Sequence, residues 1–265
     1  MDAADPSFVT SGEVEIAAWD CGGRGPTLVL LHGLAGSSSE LLPTARALAG
    51  RFRVILVDLR GHGRSSRLPR DTSRRAYTDD VIRVVEELAP DEPVVLAGQS
   101  MGAHTAFLAA HRRPDLVRLL VMLEGHVAGS DRPEDSAELG AYFRSWPTPF
   151  ASVADAREFL GDSALTDAWI ADLEETDDGL RPRFDADVME QTIREVHEPR
   201  WTEWESLSVP TVAMFAEHGM FTAEQKDELV RRRPQTTRVD IAGATHDAHL
   251  DAFDAWIAAL RRVAE

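Results

Sequence analysis

Short apolar runs dense in Val, Ile and Leu punctuate the chain at 27–31, 53–57, 94–97, 119–123 and 211–215. Runs of this length without polar alternation are what strands covered on both faces require. Further strands are predicted at 14–19 and 237–241, with an additional short one near 8–10, which makes eight. Stretches of helical period lie between them. Residues 77–89 set Tyr77, Val81, Val84, Val85 and Leu88 on one face, and the last stretch does the same with Leu250, Phe253, Trp256, Ile257 and Leu260. This alternation predicts an α/β architecture, a mostly parallel eight-stranded sheet flanked by crossover helices.

From about 127 to 200 the strand rhythm stops. Pro, Trp and acidic residues there surround candidate helices at 153–160 and 185–196. The expectation is a helical lid, 127–200, inserted after the sixth strand of a core formed by 1–126 and 201–265.

Composition narrows the setting. A chain of 265 residues accommodates one continuous core with an insertion. No apolar run approaches the roughly 20 residues that span a bilayer. Met1-Asp2-Ala3-Ala4-Asp5-Pro6 lacks the basic stretch and apolar core of a secretory signal, so a cytoplasmic location is expected. Cys21 is the single cysteine, which excludes an internal disulfide and a metal-thiolate cage. The net charge of −17 repels nucleic-acid phosphate and anionic lipid, so neither nucleic acid nor membrane is an expected partner. Lys226 is the sole lysine, and its neighbours Glu224, Gln225, Asp227 and Glu228 predict that it is exposed, which argues against Schiff-base chemistry.

The chemistry concentrates at Gly98-Gln99-Ser100-Met101-Gly102. This pentapeptide follows an apolar run and precedes the helix-compatible stretch 103–110. A strand turning sharply into a helix needs glycines where side chains would clash, and it leaves the central serine strained and exposed as a nucleophile. Serine is a weak nucleophile at neutral pH without a base, so one of the nine histidines is required.

The chain resembles the α/β-hydrolase superfamily, serine-nucleophile branch. The resemblance rests on four anchors in the family's order, and covers nearly the whole length outside the lid. They are His32-Gly33-Leu34, Asp58-Leu59-Arg60-Gly61-His62-Gly63-Arg64-Ser65, the elbow at Ser100, and Gly243-Ala244-Thr245-His246. It implies an oxyanion hole from the amides of Leu34 and Met101, with Gly33 beside the substrate, and His246 as general base with His249 the local alternative. His32 and His62 are expected to buttress loops by hydrogen bonding, and His104 and His111 to lie on the helix after the elbow.

The acid has two candidate positions. The family usually carries Gly-x-x-Asp after the strand at 211–215, but this chain reads Ala216-Glu217-His218-Gly219, with glycine where the aspartate would stand. The other position follows the strand after the nucleophile, where Glu124 ends an apolar run; a carboxylate there is costly to bury without a partner. Glu124 is the expected acid, with Glu217 the alternative. Glutamate is similarly placed in haloalkane dehalogenases and zearalenone-type lactonases of the superfamily. The dehalogenases carry an elbow aspartate, whereas Ser100 favours acyl chemistry.

The implied activity is hydrolysis of a carboxylic ester or lactone through an acyl-enzyme, without metal or organic cofactor. The expected partner is a small molecule with an apolar acyl or ring portion, contacted in the lid by residues such as Trp146 and Trp169. The protein is expected as a monomer or homodimer. Carbon–carbon bond hydrolysis, perhydrolysis and a slow-turnover small-molecule receptor remain open on the same residues.

Overall fold

The strand at Val94–Gln99 shows how the sheet is built: Val94 and Leu96 point into one apolar cluster, Val95 and Ala97 into another, as the two-residue period of a strand requires. The computed structural model describes residues 5–130, 132 and 134–264. In chain order the core begins β1 (Ser7–Ser11), β2 (Val14–Asp20), β3 (Thr27–Leu31), α1 (Ser38–Leu48), β4 (Arg53–Val57), α2 (Arg74–Leu88), β5 (Val94–Gln99), α3 (Met101–Arg112) and β6 (Val117–Leu123). An excursion follows with α4 (Asp135–Arg144), α5 (Val153–Leu160), α6 (Ala164–Ala171), the hairpin β7 (Glu174–Thr176) and β8 (Gly179–Arg181), and α7 (Ala186–Val196). The chain returns through α8 (Trp201–Ser206), β9 (Thr211–His218), α9 (Ala223–Arg232), β10 (Thr237–Thr245), α10 (Ala248–Asp251) and α11 (Phe253–Ala264).

The eight core strands form one sheet in the order β1-β2-β4-β3-β5-β6-β9-β10, antiparallel at β1/β2 and β2/β4 and parallel elsewhere. Helices α2, α3, α8 and α9 cover one face and α1 and α11 the other. Because α1 leads from β3 to its neighbour β4 and α3 leads from β5 to β6 on the other side, the chain leaves the C-terminal ends of the neighbouring strands β3 and β5 in opposite directions. That divergence opens a crevice, where doubly wound sheets bind their ligands.

The excursion has its own small core, in which Phe143, Trp146, Phe150, Ile170 and Met189 pack together. Its helix at Val153–Leu160 matches the sequence expectation and its final helix begins one residue later than expected, at Ala186. Helices α1, α4, α6, α8, α9 and α10 and the hairpin β7/β8 were not anticipated from the sequence. Lys226 departs from the expectation of exposure. Its stem is buried on the inner face of α9 and its Nζ donates to the Ala216 carbonyl at 2.7 Å.

Candidate active site

Ser100 occupies the turn between β5 and α3 with φ 51° and ψ −117°, a conformation few residues other than glycine adopt. Two glycines permit it. A Cβ at Gly98 would fall 2.3 Å from backbone atoms of Gly102, and one at Gly102 would fall 2.4 Å from the His32 carbonyl oxygen. The Ser100 amide donates to Leu123 at 2.9 Å, fixing the turn to β6, while its side chain makes no capping bond to α3. Gly33 is needed for another close approach, since a Cβ there would lie 2.2 Å from Gln99 Oε1 and 3.6 Å from Ser100 Cβ.

The loop after β3 is held by His32, fully buried. Its Nδ1 donates to the Gly33 carbonyl at 2.7 Å and its Nε2 accepts from the Leu59 amide at 3.0 Å, which sets one neutral tautomer. His62 Nδ1 donates to the Arg60 carbonyl at 2.8 Å, and burial pushes its imidazole down to about 3. Both histidines are therefore loop buttresses, as expected. Among the described residues the amides of Leu34 and Met101 have no acceptor, and Leu34 faces the crevice beside Ser100.

Glu124 follows β6 with φ 48° and is fully buried. Its Oε1 accepts from the Ala216 amide at 2.8 Å, and its Oε2 accepts from the Met220 amide at 2.9 Å and lies 3.2 Å from His246 Nδ1. Backbone donors of this kind satisfy a buried carboxylate and fix its orientation. The same contacts account for Gly219. A Cβ at that position would fall 2.2 Å from Glu124 Oε2, so the carboxylate arriving from β6 fills the space a side chain from the turn after β9 would need. Glu217 points elsewhere: it is exposed and its Oε2 accepts from the Gly243 amide at 2.8 Å.

His246 lies just beyond β10, and Gln99 Nε2 donates to its carbonyl at 3.1 Å, tying the loop to the elbow. Its imidazole is about one quarter exposed and lines, with Ser100, Gly33, Leu34 and Trp169, a cleft of about 550 Å³. His249 is buried behind that surface, within 3.5 Å of Glu40, and does not line the cleft. Trp169 forms part of the wall, whereas Trp146 sits one layer back, 5 % exposed, with its ring centroid 5.2 Å from that of Trp169. Sequence reasoning passed over Glu40, Gln99, Tyr142, His197, Met220 and Asp247, which also line the cleft. Gln99 and Asp247 are direct chain neighbours of Ser100 and His246, a signal that was available; the others are brought in by tertiary packing.

A sequence model described as the alpha/beta hydrolase fold matches residues 26–253. The chain is 29% identical over 241 residues to a 2-(acetamidomethylene)succinate hydrolase of Mesorhizobium japonicum, covering 84% of this chain and 82% of that one. It is 23% identical over 258 residues to a putative esterase/lipase of Haemophilus influenzae, covering 89% and 82%. Among solved structures, E-2-(acetamidomethylene)succinate hydrolase superposes with a TM-score of 0.87 at 24% identity over 97% of both chains. The enol-lactonase from Burkholderia xenovorans LB400 does so with 0.78 at 21% over 97% and 98%.

Proposed function

Because this chain belongs to the alpha/beta hydrolase fold family, we propose that it is a serine hydrolase that cleaves a carboxylic ester or lactone through an acyl-enzyme on Ser100. The observation that carries the reading is the His246–Glu124 contact of 3.2 Å beside a serine held in a strained strand-to-helix turn, both side chains of the pair Ser100 and His246 opening on one cleft. Ser100 Oγ attacks the carbonyl carbon while His246 Nε2 takes its proton. Glu124 receives the Nδ1–H, which fixes the productive tautomer and stabilises the imidazolium that forms. The amides of Leu34 and Met101 donate to the oxyanion. His246 then protonates the leaving group, and in the second half activates the water that releases the acid and restores Ser100. Every proton transfer in this scheme is served by side chains, so it requires no metal or organic cofactor. The segment 127–200 acts as a lid, with Trp169 on the substrate and Trp146 supporting it.

A pH-stat panel of esters, thioesters and lactones tests the reading, with Ser100→Ala as control. Sustained proton release is expected on at least one class, lowered roughly 10⁴- to 10⁶-fold in the variant. Silence across the panel from folded protein, or release that survives in Ser100→Ala, would reject acyl transfer. Carbon–carbon cleavage and a receptor role would then be the readings to pursue.

A further inference from the structure

One end of the cleft carries more negative charge than the proposed chemistry uses. Glu40, in the first turn of α1, is 7% exposed yet lines the cleft. Gly36 makes the room for it, since a Cβ there would lie 2.6 Å from Glu40 Oε1. Among the described residues no hydrogen bond reaches this carboxylate; the nearest partner is His249 Nε2, at an ion-pair distance of 3.5 Å. Asp247 lines the same end, and its carboxylate accepts from Gln99 Nε2 at 3.5 Å, the outer limit of a hydrogen bond. His249 is itself 2% exposed, with neither ring nitrogen in a hydrogen bond. Glu40 and Asp247 thus bring two carboxyl groups to one end of the cleft, where burial pushes that of Asp247 up while the imidazoles of His246 and His249 draw it down.

A carboxylate taken out of water without donors is costly, and a ligand that brings donors relieves the deficit. Tyr142, Phe143 and Trp169 line the same cleft, and the face of an aromatic ring attracts a cation. Among the described residues no lysine or arginine lines the cleft, and its cationic groups on protonation are the imidazoles of His197 and His246. Asp135 and Glu138 also line the cleft, and both pair with Arg132. The net charge of −17 adds a long-range field of the same sign.

We propose that this cleft selects substrates bearing an ammonium group, held between the carboxylates of Glu40 and Asp247 and the aromatic wall. The inference rests on the acyl-transfer reading for its chemistry but not for the site itself. It also sets this chain apart from the succinate in the name of the similar Mesorhizobium protein.

The test compares kcat/KM for ester pairs identical except that trimethylammonium replaces tert-butyl, in the alcohol part of one pair and the acyl part of another, alongside a hemisuccinate ester. The expected result is a preference of roughly tenfold or more for the cation in one pair, the scale of one such contact. In Glu40→Gln and in Asp247→Asn that ratio falls towards one. A ratio of one or below in both pairs of the native protein, a ratio unchanged in both variants, or a preference for the hemisuccinate overturns the proposal. Calorimetry on Ser100→Ala with choline and its tert-butyl isostere reads the site without turnover. If no ester is hydrolysed, acyl transfer fails on its own, while choline binding, weakened in the Ser100→Ala/Asp247→Asn protein, supports the cation site and its absence overturns it.

Discussion

A carboxylate that reaches His246 from the end of β6 changes what the turn after β9 can hold. Glu124 Oε2 sits 2.2 Å from where a Cβ on Gly219 would lie, so the two positions compete for one space. Glu124→Gln should keep the fold and lower kcat by roughly 10³- to 10⁴-fold, while Glu217→Gln, whose carboxylate serves the Gly243 amide, should stay within about twofold. The reverse pattern would move the acid to Glu217. The competition also predicts a relocation. Gly219→Asp alone should lose activity, because its side chain meets the Glu124 carboxylate. Glu124→Gly is tolerated by the backbone, since φ 48° suits glycine, and combining it with Gly219→Asp should regain roughly tenfold or more over Glu124→Gly alone. Steady-state kinetics on the four proteins decides this, and a double variant no better than Glu124→Gly refutes the shared space. In the sequence, Glu124 was legible as an acid closing an apolar strand and Gly219 as a missing acid. That the one fills the room of the other was not, because the contact joins positions from separate strands.

At the scale of elements, legibility followed how completely a segment's partners were local. The strands β3 to β6 were readable because burial on both faces leaves an unbroken apolar run, and the elbow because its glycines answer to a turn five residues long. Helix α1 was not, since the polar Ser38, Glu40 and Thr44 share its buried face with Leu41, Ala45 and Leu48, and Ser37 caps it from within a loop-like Ser run. The excursion's aromatics illustrate the same limit: Trp146 and Trp169 are indistinguishable by composition, yet only Trp169 faces the cleft. Trp146 packs against Phe143, Phe150, Trp169 and Phe184. Trp146→Ala should therefore destabilise the protein by about 3 to 5 kcal/mol in denaturant unfolding, the range for a buried aromatic. Trp169→Ala should act chiefly on KM, raising it severalfold. If Trp146→Ala leaves stability within about 1 kcal/mol of the parent, the packed core of the excursion has been misassigned.

The whole molecule combines an acidic surface with histidines sealed inside, and their titration couples to folding. Burial pushes His62 down to about 3, and burial together with Arg74 and Arg200 pushes His104 well below its ordinary value. His104 is fully enclosed on α3, against Phe107, with neither ring nitrogen hydrogen-bonded. Between about 3 and 6.5, His62 binds a proton when the chain is unfolded and not when it is folded. The unfolded state thus takes up more protons there, so stability rises with pH through this window and levels off above it. Each such histidine contributes a slope of up to about 1.4 kcal/mol per pH unit. Thermal or denaturant unfolding followed from pH 7 to pH 5, above the range where most carboxylates titrate, should show that loss. His104→Phe separates it from everything else that titrates. The phenyl ring needs no hydrogen bonds and takes no proton, so the variant should lose stability less steeply on acidification and gain on the parent more at pH 5 than at pH 8. Parallel stability curves for parent and variant would mean that His104 keeps an ordinary affinity for protons in the folded protein, and that its enclosure on α3 is opened by water.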